Sequence, residues 1–371
     1  MTETTSEAPR TWTRSPFLAP FALVFGLYWM AAAVIAALDP LDLYPWGAPP
    51  NLDADFNRHE AYYLLSAAAK TDVDVLMLGG STLARVKNAD LRRAFGVERA
   101  LNLSISMIRT VDRRYILDMV VEHSPADRVV IGLDWVFALP DGIARENSPD
   151  HLFDENPLND LRLVSPLGLH LAWQQITGEP LGPRSWRAEV EDVQDSWVFR
   201  VFQRRLERGS LKPLLPMPRN LPPEALDLPD EATCARYPLV SEVLHDTVAA
   251  LTARGVTVDI VVPPVGLRIY RTWNYRTAEV PRLVRPFLAS QLMIRGCAVA
   301  AIRDLPGARV FAFDNETEIT GDLTKFRDSI HLYDMEVYNH LLDEIAAGRH
   351  TLDAANFSTY AQTLVANVEA Q

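Results

Sequence analysis

The sequence predicts an α/β protein, a parallel sheet covered by helices on both faces to give three layers. An irregular proline-rich insertion interrupts it, and a transmembrane helix precedes it. Three observations carry this reading. Short uninterrupted apolar runs alternate with stretches of helical periodicity, as expected for parallel strands buried on both faces. Residues 138–236 hold 12 of the chain's 26 prolines, where an even spread would give about seven. Phe17 to Leu38 is a run of 22 residues without a charge.

That apolar run is the first element. At 1.5 Å per residue it covers the ~30 Å hydrocarbon core of a bilayer. Arg10 and Arg14 precede it, whereas Asp39 and Asp42 follow it. The positive-inside bias therefore places residues 1–16 in the cytoplasm and everything after Asp39 on the far side. A cleaved signal peptide and a buried core helix are the competing readings; the run is long for either. Residues 39–57 contain four prolines and read as a linker leaving the membrane.

Residues 58–371 form the predicted domain. Arg58–Lys70 has helical periodicity. Val73–Leu78 (VDVLML) is a buried-type strand ending in Gly79-Gly80. Ala100–Leu103 is a second short strand, followed by a helix over Thr110–Glu122. Arg128–Leu133 (RVVIGL) is a third strand. The segment 138–236 follows, in which proline density breaks regular elements and Trp173, Trp186 and Trp197 stand among a few helices. It reads either as a lid over the sheet edge or as packing between sheet and membrane. Beyond it, Leu239–Arg254 is a helix with Gly255 as its C-cap. Thr257–Val262 (TVDIVV) is a strand stopped by Pro263-Pro264. Pro281–Arg303 is helical, Ala308–Phe313 is a strand, and Asp334–Ala347 is a closing helix.

Composition excludes several functions. Lys+Arg 36 against Asp+Glu 48 gives a net charge of −12 with no basic cluster, a poor match to a nucleic-acid backbone. The two cysteines, Cys234 and Cys297, rule out a disulfide scaffold and an all-cysteine metal site. Whether they pair is open: a single bridge requires an oxidising compartment and Cα atoms close enough to link. The histidines show no metal-ligand spacing, and the Gly-rich turn after the first strand lacks G-x-G-x-x-G, so neither metal nor cofactor is expected.

In open α/β sheets, ligands bind beyond the carboxyl ends of the strands. The residues there are Gly80-Ser81-Thr82 after the first strand, Asp134-Trp135 after the third, and Asp328 and His331 (FRDSIHLYD) after the last. A hydroxyl, an imidazole and a carboxylate converging on one edge compose a nucleophilic triad. Ser81 is the candidate nucleophile, His331 the base, and Asp328 the residue that orients it. Gly80 leaves room for substrate and frees backbone N–H groups for an oxyanion.

Taken in order, these motifs resemble the SGNH (GDSL-type) hydrolase superfamily, in particular its membrane-anchored bacterial branch. That branch includes proteins that O-acetylate alginate and other exported polysaccharides, and the anchored protein of teichoic acid D-alanylation. The resemblance covers about residues 70–136 and 239–347. Its first block is LMLGGST, with Ser81, and its last, D-x-x-H, is Asp328-Ser-Ile-His331. The run FDNETEITGDLTKFRDSIHL and Ile260–Pro264 are similar to neighbouring segments of that branch. Two blocks depart. In the run N-x-x-x-x-G, which begins here at Asn102, Met107 replaces the glycine. Asp134 stands where the family carries an asparagine that donates to the oxyanion, which an ionised carboxylate cannot do. Either Asp134 is protonated or another donor such as Asn102 serves.

The resemblance implies an SGNH/flavodoxin-like sheet and a single-pass protein of the bacterial inner membrane with a periplasmic catalytic domain. It would be a serine acyltransferase or esterase acting on an exported polysaccharide or cell-envelope glycan. An integral-membrane O-acyltransferase that passes acyl groups across the bilayer is the implied partner. A non-catalytic scaffold subunit of a polysaccharide-modification complex is the alternative that Asp134 and Met107 favour.

Overall fold

The structure is a computed structural model that describes residues 18–38, 72–104, 110–134, 137, 166–177, 197–211, 214, 221, 225–272 and 287–371. The expected tail 1–16, linker 39–57, helix Arg58–Lys70, Met107, Trp135 and much of the insertion lie outside these residues.

The sheet has six strands, namely β1 (Val75–Leu78), β2 (Ala100–Asn102), β3 (Arg128–Gly132), β4 (Thr257–Val262), β5 (Ala308–Ala312) and β6 (Thr351–Leu352). Their spatial order is β2-β1-β3-β4-β5-β6, and all neighbours are parallel except β5 and β6. The sheet is therefore mixed and mostly parallel rather than purely parallel. β6 is only two residues long, too short to leave a mark in the sequence. The register aligns Leu76 with Leu101 on one side and with Val129 on the other.

Period-two alternation sends neighbouring side chains to opposite faces. Leu76, Val129, Ile260 and Val310 join one core; Val75, Met77, Val130 and Phe311 join the other. The first core is covered by α3 (Thr110–His123), by α7 (His245–Ala253) with a π-helical turn over Leu239–Leu244, by α9 (Phe287–Ile302) and by α12 (Phe357–Glu369). The second is covered by α2 (Asn88–Phe95) and α11 (Met335–Ala346). Both faces are buried, so the strands are apolar throughout. α7 stops where expected: Gly255 has φ +83°, left-handed backbone that costs a glycine nothing.

Three further helices matter below: α4 (Pro166–Thr177) and α5 (Trp197–Glu207) in the insertion, and the short α6 (Glu231–Cys234); the one-turn helices are α8 (Ile269–Thr272) and α10 (Thr317–Thr320). Cys234 on α6 and Cys297 on α9 form a disulfide with Cα atoms 5.4 Å apart. α1 (Leu18–Leu38) is 21 residues long, apolar and almost wholly exposed, and it is long enough to cross a membrane. Such a helix, as anchor or signal sequence, and the disulfide together point to an extracytoplasmic location.

Candidate active site

The strand order reverses at β1. The chain steps from β1 to β2 on one side, then returns to place β3 on the other, which opens a crevice beyond the carboxyl ends of β1 and β3. Two glycines let these strand ends close up. A Cβ on Gly132 would lie 2.6 Å from Leu83 Cδ1 and 3.3 Å from Gly79 Cα. Ser81 lies in the turn just past β1, where the Leu83 N–H donates to the Gly80 carbonyl at 3.1 Å.

Asn102, at the end of β2, clamps this turn. Its Nδ2 donates to the carbonyls of Leu83 at 2.9 Å and Val86 at 2.8 Å, and its Oδ1 accepts from the Ser104 N–H at 2.9 Å. Both amide hydrogens are thus committed to the backbone of the Ser81 loop. As an oxyanion donor Asn102 has no hydrogen to spare, so its position in the sequence pattern reflects loop support.

Asp328 and His331 sit in a small hairpin ahead of α11, closed by a bridge between Phe326 and Leu332. α11 begins at Met335 with Asp334 as its N-cap, in keeping with the expected helix over Asp334–Ala347. Asp328 Oδ1 accepts the backbone N–H groups of Ile330 at 2.8 Å and His331 at 2.9 Å, which folds the turn back on itself. The same carboxylate meets His331 Nδ1 at 2.8 Å through Oδ2 and 3.0 Å through Oδ1. A spacing of three residues allows one carboxylate to do both. Across the ring, His331 Nε2 lies 2.8 Å from Ser81 Oγ, although 250 residues separate the two.

Tyr338 and Arg85 hold the two segments together. The buried Tyr338 hydroxyl, on α11, donates to the Thr82 carbonyl at 2.7 Å, and Arg85 Nη1 donates to the Tyr333 carbonyl at 2.9 Å. Burial pushes the Tyr338 hydroxyl well above its ordinary range, so it stays protonated and remains a donor. From the insertion, α5 packs on the same hairpin. Gln203 Nε2 donates to the Phe326 carbonyl at 3.2 Å, and the Phe199 ring lies 4.8 Å from Tyr333.

Electrostatics fix the protonation of the carboxylate. Burial alone would raise the Asp328 pKa. The hydrogen bonds and charge of His331, with the backbone N–H groups of His331 and Ile330, outweigh it and hold the pKa down at about 2. An ionised Asp328 accepts the Nδ1 proton and leaves the Nε2 lone pair facing Ser81 Oγ, a tautomer assigned from these partners.

Beside this relay lies a small pocket, partly open to solvent. Thr82 and Ile330, the neighbours of Ser81 and His331, form one wall, and Leu133, Val262, Val265 and Ile269 make the rest apolar. Its polar side chains are Thr82, Asp134, Gln291 and Arg295, all buried. Arg295 is fixed by Asp314, at 2.6 Å, and by the Tyr270 hydroxyl, at 2.8 Å. Gln291 Nε2 is buried and has no hydrogen-bond partner among the described residues. Gln291 and Arg295 escaped the sequence reading, yet they left a signal. They are the two long polar side chains of an otherwise apolar helix, four residues apart and hence on one face.

Ser81, Asp328 and His331 are therefore brought together, with Gly80 buried beside Ser81 and Asp134 in the adjoining pocket. Met107 lies outside the described residues. The chain matches no family model and no curated protein. The arrangement can take a proton from a serine hydroxyl and hold the resulting imidazolium, which is the chemistry of acyl transfer.

Proposed function

We propose that the chain is a membrane-anchored serine acyltransferase or esterase of SGNH type, with its domain on the periplasmic side, acting on an exported polysaccharide or cell-envelope glycan. The observation that carries the reading is the Ser81–His331–Asp328 relay, with both links at 2.8 Å, at the carboxyl edge of the sheet. In this reading Ser81 Oγ attacks the acyl carbonyl while its proton passes to His331 Nε2. Asp328, ionised at any pH well above 2, holds the imidazolium. Collapse of the tetrahedral intermediate breaks the acyl–oxygen bond, and the leaving alkoxide takes the proton from His331. A glycan hydroxyl or water then repeats the sequence in reverse on the acyl-enzyme.

Oxyanion stabilisation falls to backbone N–H groups around Gly80–Thr82, since Asn102 is committed elsewhere. Gln291 Nε2, a buried donor in search of an acceptor, would bind an oxygen of the substrate's acyl or sugar moiety. The implied integral-membrane O-acyltransferase would deliver acyl groups from the membrane to an anchored domain at high effective concentration.

A second reading, a non-catalytic scaffold on the same fold, is favoured by the buried Asp134 carboxyl in the pocket beside Ser81. Turnover of aryl acetates and acetyl transfer to periplasmic glycans by the purified full chain separates the two. The enzyme reading requires turnover that disappears in Ser81→Ala. No turnover, or equal turnover in Ser81→Ala, favours the scaffold.

A further inference from the structure

The place where α1 meets the rest of the protein is informative. Residues 19–30 of α1 are exposed throughout, and burial is confined to its last turns, where Ile35 is 3% exposed. α1 packs against α4. If α1 crosses a bilayer, its last turns reach the headgroup boundary on the side of the domain. α4 then sits at that depth.

The composition of α4 fits the depth. Its 12 residues, PLGLHLAWQQIT, include no Asp, Glu, Lys or Arg. At 1.5 Å per residue the helix is about 18 Å long, too short to span. Ala172 and Gln174, one on each flank of the helix, are buried. Between them it presents Leu169, Trp173 and Ile176, which are 45%, 60% and 61% exposed. Their spacing of four and three residues makes them a single stripe. A stripe of leucine, isoleucine and tryptophan is costly to leave in water, and tryptophan prefers the bilayer interface, where its ring is solvated by lipid and its indole N–H by headgroups.

We propose that α4 is a second membrane contact of this chain, an interfacial helix that lies against α1 with Leu169, Trp173 and Ile176 inserted at the headgroup–acyl boundary. The proposal rests on α1 being a membrane span. Its occupant is lipid: α4 packs against α1, whose exposed residues 19–30 are apolar, and the exposed stripe of α4 is apolar too. With no lysine or arginine on α4, the contact is apolar and does not depend on anionic lipid. Together α1 and α4 make two attachments in place of one, which fixes the orientation of the domain toward the membrane instead of leaving it on a swivel.

The test uses the full chain in phosphatidylcholine nanodiscs whose acyl chains carry bromine either close to the headgroup or near the bilayer centre. Tryptophan emission of the unaltered protein is compared with that of Trp173→Phe and of Trp29→Phe, so that each difference spectrum isolates one residue. Trp29 lies near the middle of α1 and reports on the anchor. The expected result is strongest quenching of Trp29 by deep bromine and of Trp173 by shallow bromine, unchanged by added salt. If Trp29 is quenched but Trp173 responds only to aqueous acrylamide, α4 faces water or awaits a protein partner, and the proposal falls while the anchor stands. Trp173 quenched most by deep bromine would also overturn it, by placing α4 in the hydrocarbon core. If Trp29 itself escapes both bromines, α1 is no span and the proposal falls with it.

Discussion

Replacing both Cys234 and Cys297 with alanine opens the bridge between α6 and α9. The two cysteines are 63 residues apart in sequence. Closing a loop of that length removes chain entropy from the unfolded state worth about 4 kcal/mol at 25 °C. Both side chains are buried, at 5% and 1% exposure, so alanine leaves only small voids and introduces no unpaired hydroxyl, as serine would. The loss should therefore be close to the loop term. For a domain of this size each kcal/mol is worth roughly 2–4 °C, so Tm should fall by roughly 8–16 °C. Thermal unfolding in detergent, followed by near-ultraviolet circular dichroism with and without reductant, measures it. Reductant should lower Tm of the natural protein toward that of the double variant and leave the variant unchanged. A fall below about 2 °C, or two maleimide-reactive thiols in the natural protein after denaturation without reductant, would refute the reasoning.

Other outcomes follow from the site. Ser81→Ala and His331→Ala should each lower esterase turnover by about a thousandfold or more, with little change in Tm, read by aryl-ester kinetics and calorimetry. Burial would raise the Asp328 pKa, but the hydrogen bonds and charge of His331 outweigh it and hold the pKa down at about 2, against about 3.9 for an unperturbed aspartate. Its depressed pKa thus contributes about 2 kcal/mol of stability that is complete above pH ~4 and lost as pH falls through ~2. Urea unfolding across pH 7 to 2 should show that acid limb and its flattening in Asp328→Asn. Asn102→Ala takes the side-chain donor from the Val86 and Leu83 carbonyls, of which Leu83 keeps the Val86 N–H, and the acceptor from the Ser104 N–H. It should cost about 2–4 kcal/mol in the urea midpoint and slow acylation of Ser81 by loosening its turn. Gln291→Leu removes a buried donor that has no partner. It should raise stability by about 1–2 kcal/mol while raising KM for the acyl substrate, a combination that a purely structural Gln291 would not give.

The five strands β1 to β5 were legible because parallel strands buried on both faces must be apolar at every position, as VLML, RVVIG and TVDIVV nearly are, and the short β2 falls within the expected Ala100–Leu103. The strand β6 was not, because two residues carry no period, and α2 was not, because eight residues with one fully buried side chain, Leu91, read as surface. Antiparallel pairing of β6 therefore came only with the structure. At the site, Asp328 and His331 were readable as a local unit, since a carboxylate three residues ahead both caps the turn and reaches the ring. That Ser81 faces the same imidazole rests on where parallel strands end. The duty of Asn102 was hidden, because the carbonyls it holds belong to another segment 16 and 19 residues away. The disulfide was open for the same reason: pairing depends on how α6 and α9 meet. Gln291 needed both its helix and its pocket before its lack of a partner had meaning.

The most direct measurement is covalent. The full chain in detergent is treated with a fluorophosphonate, and the adduct is located by peptide mass spectrometry, beside Ser81→Ala and His331→Ala. The expected result is one adduct, on Ser81, absent in Ser81→Ala and slowed by about a hundredfold or more in His331→Ala, because the imidazole at 2.8 Å removes the hydroxyl proton. An unlabelled Ser81 in the natural protein, or labelling that proceeds at the same rate without His331, would contradict an activated serine.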